Sequence, residues 1–358
     1  MVKSAELIEA YERFRRTGPE WGADQLTNHG PMAVEVLVRR GRSEVVPEWV
    51  DGYIGRLDEL PKATGEITGE CWAAALGDGR RVGDWTGYFA RQLARQPWRE
   101  VLELWWQRLL PGIAAGATHG VIRTSHVVRV LLSGAEDQPT LDELARALAF
   151  WAARARNLPA SPGPAGWLDP LPALDAVPRI PSQHGNLAAR FDQLTPDSGW
   201  TASVARLRPA ATPGEVPARL AELVAAATLR YLAYGHGQPV LLVHTATAPN
   251  AVLHTLPALP GSLWMPSLTA VWAACAAIFA AYAPPEGAAP AQRPALPDGS
   301  AAVAEVIDRA VDHGDEHVIK FTDTAVDVYL ATGNVDALAA ALHAGTLIAG
   351  NKPSARYT

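Results

Sequence analysis

The sequence predicts a mainly α fold, built as a single large helical domain over residues 1–358. Three observations predict it. Apolar residues recur at helical spacing along most of the chain. Strand-like runs are few and short, V-L-L-V-H at 240–244 and the stretch 200–205. Helix stop signals, Gly41, Pro97, Pro111, Gly134 and Gly333, separate the periodic segments. With 358 residues, 48% of them hydrophobic, the chain can bury a sizeable core.

Helices are expected at 4–16, 31–40, 47–60, 84–95, 98–110, 112–133, 140–156, 215–234, 264–283, 301–331 and 335–348. The first, A-E-L-I-E-A-Y-E-R-F-R-R, is amphipathic and lacks the apolar core of a signal peptide. The second follows T-N-H-G-P-M, where Asn28 or Thr27 can cap and Pro31 suits the first turn. His29 therefore sits at a helix N-terminus, whose dipole disfavours imidazolium and leaves a neutral, metal-ready ring. The competing reading is a histidine packed in the capping loop.

The helix expected at 112–133 carries T-H-G-V-I-R-T-S-H. His119 and His126 are seven residues apart, two turns on one stripe, with Arg123 between them. This reads as a polar pocket; the alternative is a tight helix crossing at Gly116 and Gly120. Proline-rich stretches at 158–183 and 284–298 read as a surface excursion or lid and as an exposed connection. His244 closes the run at 240–244 and by position alone is unremarkable. The uncharged segment 261–283 is alanine-rich, contains Pro266 and lacks flanking basic anchors, so it is expected as a buried core helix and not a membrane span.

Near the C-terminus, H-G-D-E-H-V-I-K places His313, His317 and Lys320 at spacings of four and three, on one face if the stretch is a single helix. A protonated lysine cannot ligate a metal. Lys320 is then either ion-paired, with Glu316 or Asp323, or buried and carboxylated by carbon dioxide into an oxygen ligand. H-G-D-E-H also fits the H-x-x-E-H pattern of inverted zinc peptidases, with Glu316 as base.

The net charge of −6 argues against nucleic-acid binding. Two distant cysteines, Cys71 and Cys275, form no disulfide framework, and a cytoplasmic protein is expected. No G-x-G-x-x-G follows a strand, and no fixed repeat is present.

Four segments, N-H-G-P-M-A-V-E-V-L (28–37), T-H-G-V-I-R-T-S-H (118–126), H-T-A-T-A-P-N-A (244–251) and D-E-H-V-I-K-F-T-D (315–323), resemble in order those of the questin oxidase-like family. The resemblance implies a mostly helical fold around a central metal and substrate pocket, and oxidative ring opening of anthraquinone-like polyketides. It implies an Fe(II) centre held by His29, His119, His244, His317 and a carboxylated Lys320, with dioxygen and an aromatic polyketide as partners. His126 stands where many relatives carry an aromatic residue. Five such ligands suit a borderline divalent metal. Arg123 is expected to pair with a substrate oxyanion and His126 to act as acid or base. Trp105, Trp106, Trp264 and Trp272 are expected either to line a flat pocket or to pack the core. The alternatives are a metal-free NADPH-dependent Baeyer–Villiger-type oxygenase, a zinc hydrolase, and a polyketide-binding protein without catalysis.

Overall fold

Helix-favouring sequence between glycine and proline stops gives a mainly α structure, seen in a computed structural model that describes residues 4–289, 294, 296 and 301–350. The chain falls into two compact units. The first takes residues up to Leu158 together with His254–Ala270, and the second takes Pro159–Leu253 with the residues from Val271 on.

The first unit opens with α1 (Ala5–Phe14). The two-residue strands β1 (Glu20–Trp21) and β2 (Leu26–Thr27) follow as an antiparallel hairpin, Glu20 opposite Thr27. Next come α2 (Gly30–Arg39), α3 (Val46–Ile54), the short α4 (Trp72–Ala75), α5 (Val82–Leu93), α6 (Trp98–Leu109), α7 (His119–Leu132) and α8 (Gln138–Ala153). Asp137 starts α8 as a side-chain cap, accepting from the Thr140 N–H. α8 packs along α5 and α7, and α1 and α2 close against α7 and α8.

Aromatic side chains fill this interior. Trp105 meets Trp85, Tyr88 and Phe89 edge-on at centroid distances of 5.3, 5.3 and 4.9 Å. The Trp106 indole N–H donates to Ser267 Oγ at 2.8 Å, and Trp264 donates to the Leu256 and Leu259 carbonyls. Gly120 is required where α7 crosses α8. A Cβ there would lie 2.7–2.9 Å from Trp151, including its Cα. Gly120→Ala is therefore expected to cost about 1–3 kcal/mol, read as a lower urea midpoint; an unchanged midpoint would contradict the close crossing.

The second unit contains α9 (Pro170–Asp175), α10 (Leu187–Phe191), α11 (Trp200–Val204), α12 (Val216–Tyr234), α13 (Pro239–Leu242) and α14 (His244–Thr255), whose residues up to Leu253 belong here. It continues with α15 (Trp264–Tyr282) from Val271, then α16 (Ala302–His313), α17 (Glu316–Thr332) and α18 (Asp336–Leu347). α16, α17 and α18 pack through Val306, Ala325, Val326, Leu338 and Ala341. Trp272 is fully buried and donates to the Val204 carbonyl at 2.8 Å. All four tryptophans proposed as pocket walls are thus tied into the packing of their own units.

Several sequence expectations are corrected. The runs at 200–205 and 240–244 are helical, not strands. Pro239 sits at the start of α13, where its fixed φ suits a first turn, and the apolar residues behind it continue the turn. α14 contains Pro249, which cannot donate to the Thr245 carbonyl; the buried Cys275 thiol donates to that oxygen instead, at 3.3 Å. The helix expected from 112 begins only at His119, because Gly116, Ala117 and Thr118 all have positive φ (49°, 54° and 72°). The helix expected over 301–331 is two helices, broken by left-handed Gly314 (φ 76°).

The stretch 158–183, read as a surface excursion or lid, is partly ordered by local structure. It contains α9 and is pinned where Leu168 bridges to Leu207. The 284–298 stretch lies partly outside the described residues. The segment Gly261–Tyr282 is long and apolar enough to cross a membrane by composition, yet 72% of its most apolar window is buried in the fold, as expected of a core helix.

Candidate functional site

In the first unit the N-terminus of α2 presents His29. Asn28 organises this end. Its Oδ1 accepts from the Gly30 N–H at 2.9 Å, while its Nδ2 donates to the Gly18 carbonyl and to Thr17 Oγ1. The His29 N–H donates to the Tyr53 hydroxyl at 2.7 Å. His119 opens α7 directly after the three left-handed residues. Ala117 and Thr118 carry side chains in that conformation, which is strained for a β-branched residue. His119 Nδ1 meets the Gly116 carbonyl. The two rings stand edge to face, centroids 4.6 Å apart, and both are buried.

In the second unit His244 opens α14 and His317 lies in the first turn of α17. Their rings are also edge to face, at 5.8 Å, and both are buried. Asp315 caps α17, its Oδ1 accepting from the His317 N–H at 2.8 Å and the Val318 N–H at 3.3 Å. The same oxygen lies 3.4 Å from His317 Nδ1. Burial pushes the Asp315 carboxyl up, but the hydrogen bonds and charge of His317 outweigh it and hold its pKa below the ordinary value. Asp315, Glu316 and His317 bring one donor atom each within 4.8 Å of one another, a group able to hold a metal ion.

Lys320 is one turn on from His317 and only 2% exposed. Burial draws its pKa from the ordinary 10.5 to about 7, against the opposing pull of Glu316 and Asp315. A neutral amine is therefore present at neutral pH, the form that adds carbon dioxide. Between about 7 and 10.5 the unfolded chain holds a proton that the folded chain has released. Metal-free protein is thus expected to gain stability as pH rises through that window, with a slope approaching about 1.4 kcal/mol per pH unit. Urea unfolding at stepped pH reads the slope. Lys320→Met should flatten it; an equal slope in the variant would contradict the assignment.

His313 does not join His317 and Lys320 on one face. It ends α16, beyond the Gly314 break, and its Nε2 meets the Ile348 carbonyl at 3.0 Å. The same break removes the H-x-x-E-H reading, which needs both histidines on one helix.

Arg123 and His126 have partners that the sequence did not reveal. Arg123 donates from Nε and Nη2 to Glu143 at 2.6 and 3.0 Å, a buried bidentate pair, and Arg146 Nε donates to the same carboxylate at 3.1 Å. The fork expected to meet a substrate oxyanion is instead engaged by α8. His126 Nδ1 faces Glu35 Oε2 at 2.7 Å, and Arg129 joins that carboxylate. Glu35, inside the apolar run V-E-V-L-V, and Glu143, in L-D-E-L-A, carry the only available signal: an acid on the buried side of an apolar helix.

A surface cleft of about 460 Å³ in the first unit is lined by Glu20, Trp21, Asp58, Asp78, Arg80 and Arg154 among others, and includes none of the sequence-predicted ligands. No protein-family model matches the chain, and the search of curated proteins finds no match.

Proposed function

We propose that the chain is a non-heme iron oxygenase that opens a ring of a polycyclic, anthraquinone-like polyketide. The observation that carries the reading is the placing of the four motif histidines in two buried edge-to-face pairs, with a buried lysine of pKa about 7 beside one of them. Water-poor surroundings and imidazole nitrogens suit a borderline divalent metal, and a carboxylated Lys320 would add one oxygen donor. The residues that would hold Fe(II) are His29, His119, His244, His317 and Lys320, an assignment that rests on donor chemistry and on the order of the four motifs. Iron would supply the one-electron chemistry that lets dioxygen react with an aromatic ring.

The chain's own residues have separate tasks. Asp315 orients His317 through the 3.4 Å contact. Burial keeps Lys320 in the form that takes up carbon dioxide. Glu35 holds His126 by Nδ1, and His126 is the group proposed to exchange a proton with the substrate hydroxyl. Arg123, committed to Glu143, serves structure and not the substrate oxyanion in this reading.

Oxygen uptake with a hydroxyanthraquinone tests the proposal. The expected result is uptake without consumption of NADPH and entry of both atoms of labelled dioxygen into a ring-opened product. Stoichiometric NADPH oxidation with entry of one atom would overturn it in favour of a monooxygenase.

A further inference from the structure

We propose that the first unit holds a small monovalent anion of halide size, buried between α1, α7 and α8 and bound by Arg123, Arg146 and Tyr11. Among the described residues Glu143 is the one carboxylate bonded to both Arg123 and Arg146, so two fixed positive charges face a single negative one there. Asp142, the acid one turn before Arg146, is bonded to Gln138 at 2.7 Å. The neighbouring carboxylate, Glu35, already serves Arg129 and His126.

Hydrogen bonding points the same way. Arg123 Nη1, Arg146 Nη2 and the Tyr11 hydroxyl are buried and find no hydrogen-bond partner among the described residues. The side chains themselves are almost wholly inaccessible, with exposures of 2%, 5% and 1%. The two guanidiniums converge on one carboxylate oxygen, Glu143 Oε2, at 3.0 and 3.1 Å. α1, which carries Tyr11, packs against α8, and the charges of Glu143, Glu35, Arg123 and Arg129 all act on the Tyr11 hydroxyl. Burial and the two carboxylates keep that hydroxyl protonated, as a donor.

Three buried donors and one uncompensated positive charge define an anion site. A water molecule would satisfy the hydrogen bonds and leave the charge, and a buried unpaired charge is costly. The helices around the site are close-packed, which favours an occupant of atomic size over a polyatomic one.

The test uses the intact chain dialysed from chloride into bromide and crystallised. Anomalous scattering is expected to show bromide within hydrogen-bond reach of Arg123 Nη1 and Arg146 Nη2. Density for water alone at those atoms, with no anomalous signal, would overturn the proposal. In solution, the melting temperature is expected to rise when chloride replaces a bulky organic anion at equal ionic strength. Tyr11→Phe, which removes one donor with little change of shape, should shrink that rise. A wild-type melting temperature indifferent to halide would also overturn the proposal.

Discussion

His317→Ala is expected to purify with about a tenth or less of the iron bound by the parent chain. Loss of a group that merely orients a ligand lowers metal affinity 10–100-fold, and loss of a ligand itself exceeds that. His317 is a strong choice because its environment is built for it. Asp315 fixes the start of α17 and the ring at once, and His244 stands edge-on at 5.8 Å. His29→Ala should behave alike, although His29 lies on a different unit. Full iron content in either variant would remove that residue from the ligand set.

The second large effect concerns stability. Glu143→Ala is expected to cost about 3–5 kcal/mol, the range for leaving buried charges unpaired. Both Arg123 and Arg146 would lose the only carboxylate bond they make among the described residues, deep between α7 and α8. Replacing all three residues, with Glu143→Leu, Arg123→Met and Arg146→Met, should recover most of the loss, because no charge then remains to be desolvated. Urea midpoints of the single and triple variants decide it. A Glu143→Ala protein as stable as the parent would show that the pair carries no such burden.

The helical class and most helix positions were legible because 3.6-residue periodicity extends over long segments, and glycine and proline mark their ends. Three of the failures have local causes. At 240–244 an apolar run too short to show a period reads equally as strand or helix, and only Pro239 hinted at the latter. At 116–118 left-handed backbone at Ala117 and Thr118 is imposed by the surrounding fold, and neither residue type announces it. At Gly314 a left-handed glycine followed by a capping aspartate ends one helix and starts another; the signal was present in G-D and was outweighed by the periodicity on either side.

The candidate site shows the same division. His29 at a helix start and Lys320 in apolar surroundings were readable, since neighbours in sequence create both environments. The partners of Arg123 and His126 were not. Glu143 and Glu35 lie 20 and 91 residues away, and only the packing of α7 against α8 and α2 brings them together. The placing of His313 beside Lys320 failed for the related reason that spacing implies a shared face only where the helix is unbroken.

The proposed oxygenase chemistry requires this chain to hold iron. The most direct measurement is the metal content of protein purified without added metal or chelator, repeated after anaerobic incubation with Fe(II). The account predicts about one iron per chain, bound through histidine and oxygen donors. Protein that takes up no iron under either condition, with its helical content intact, would contradict it.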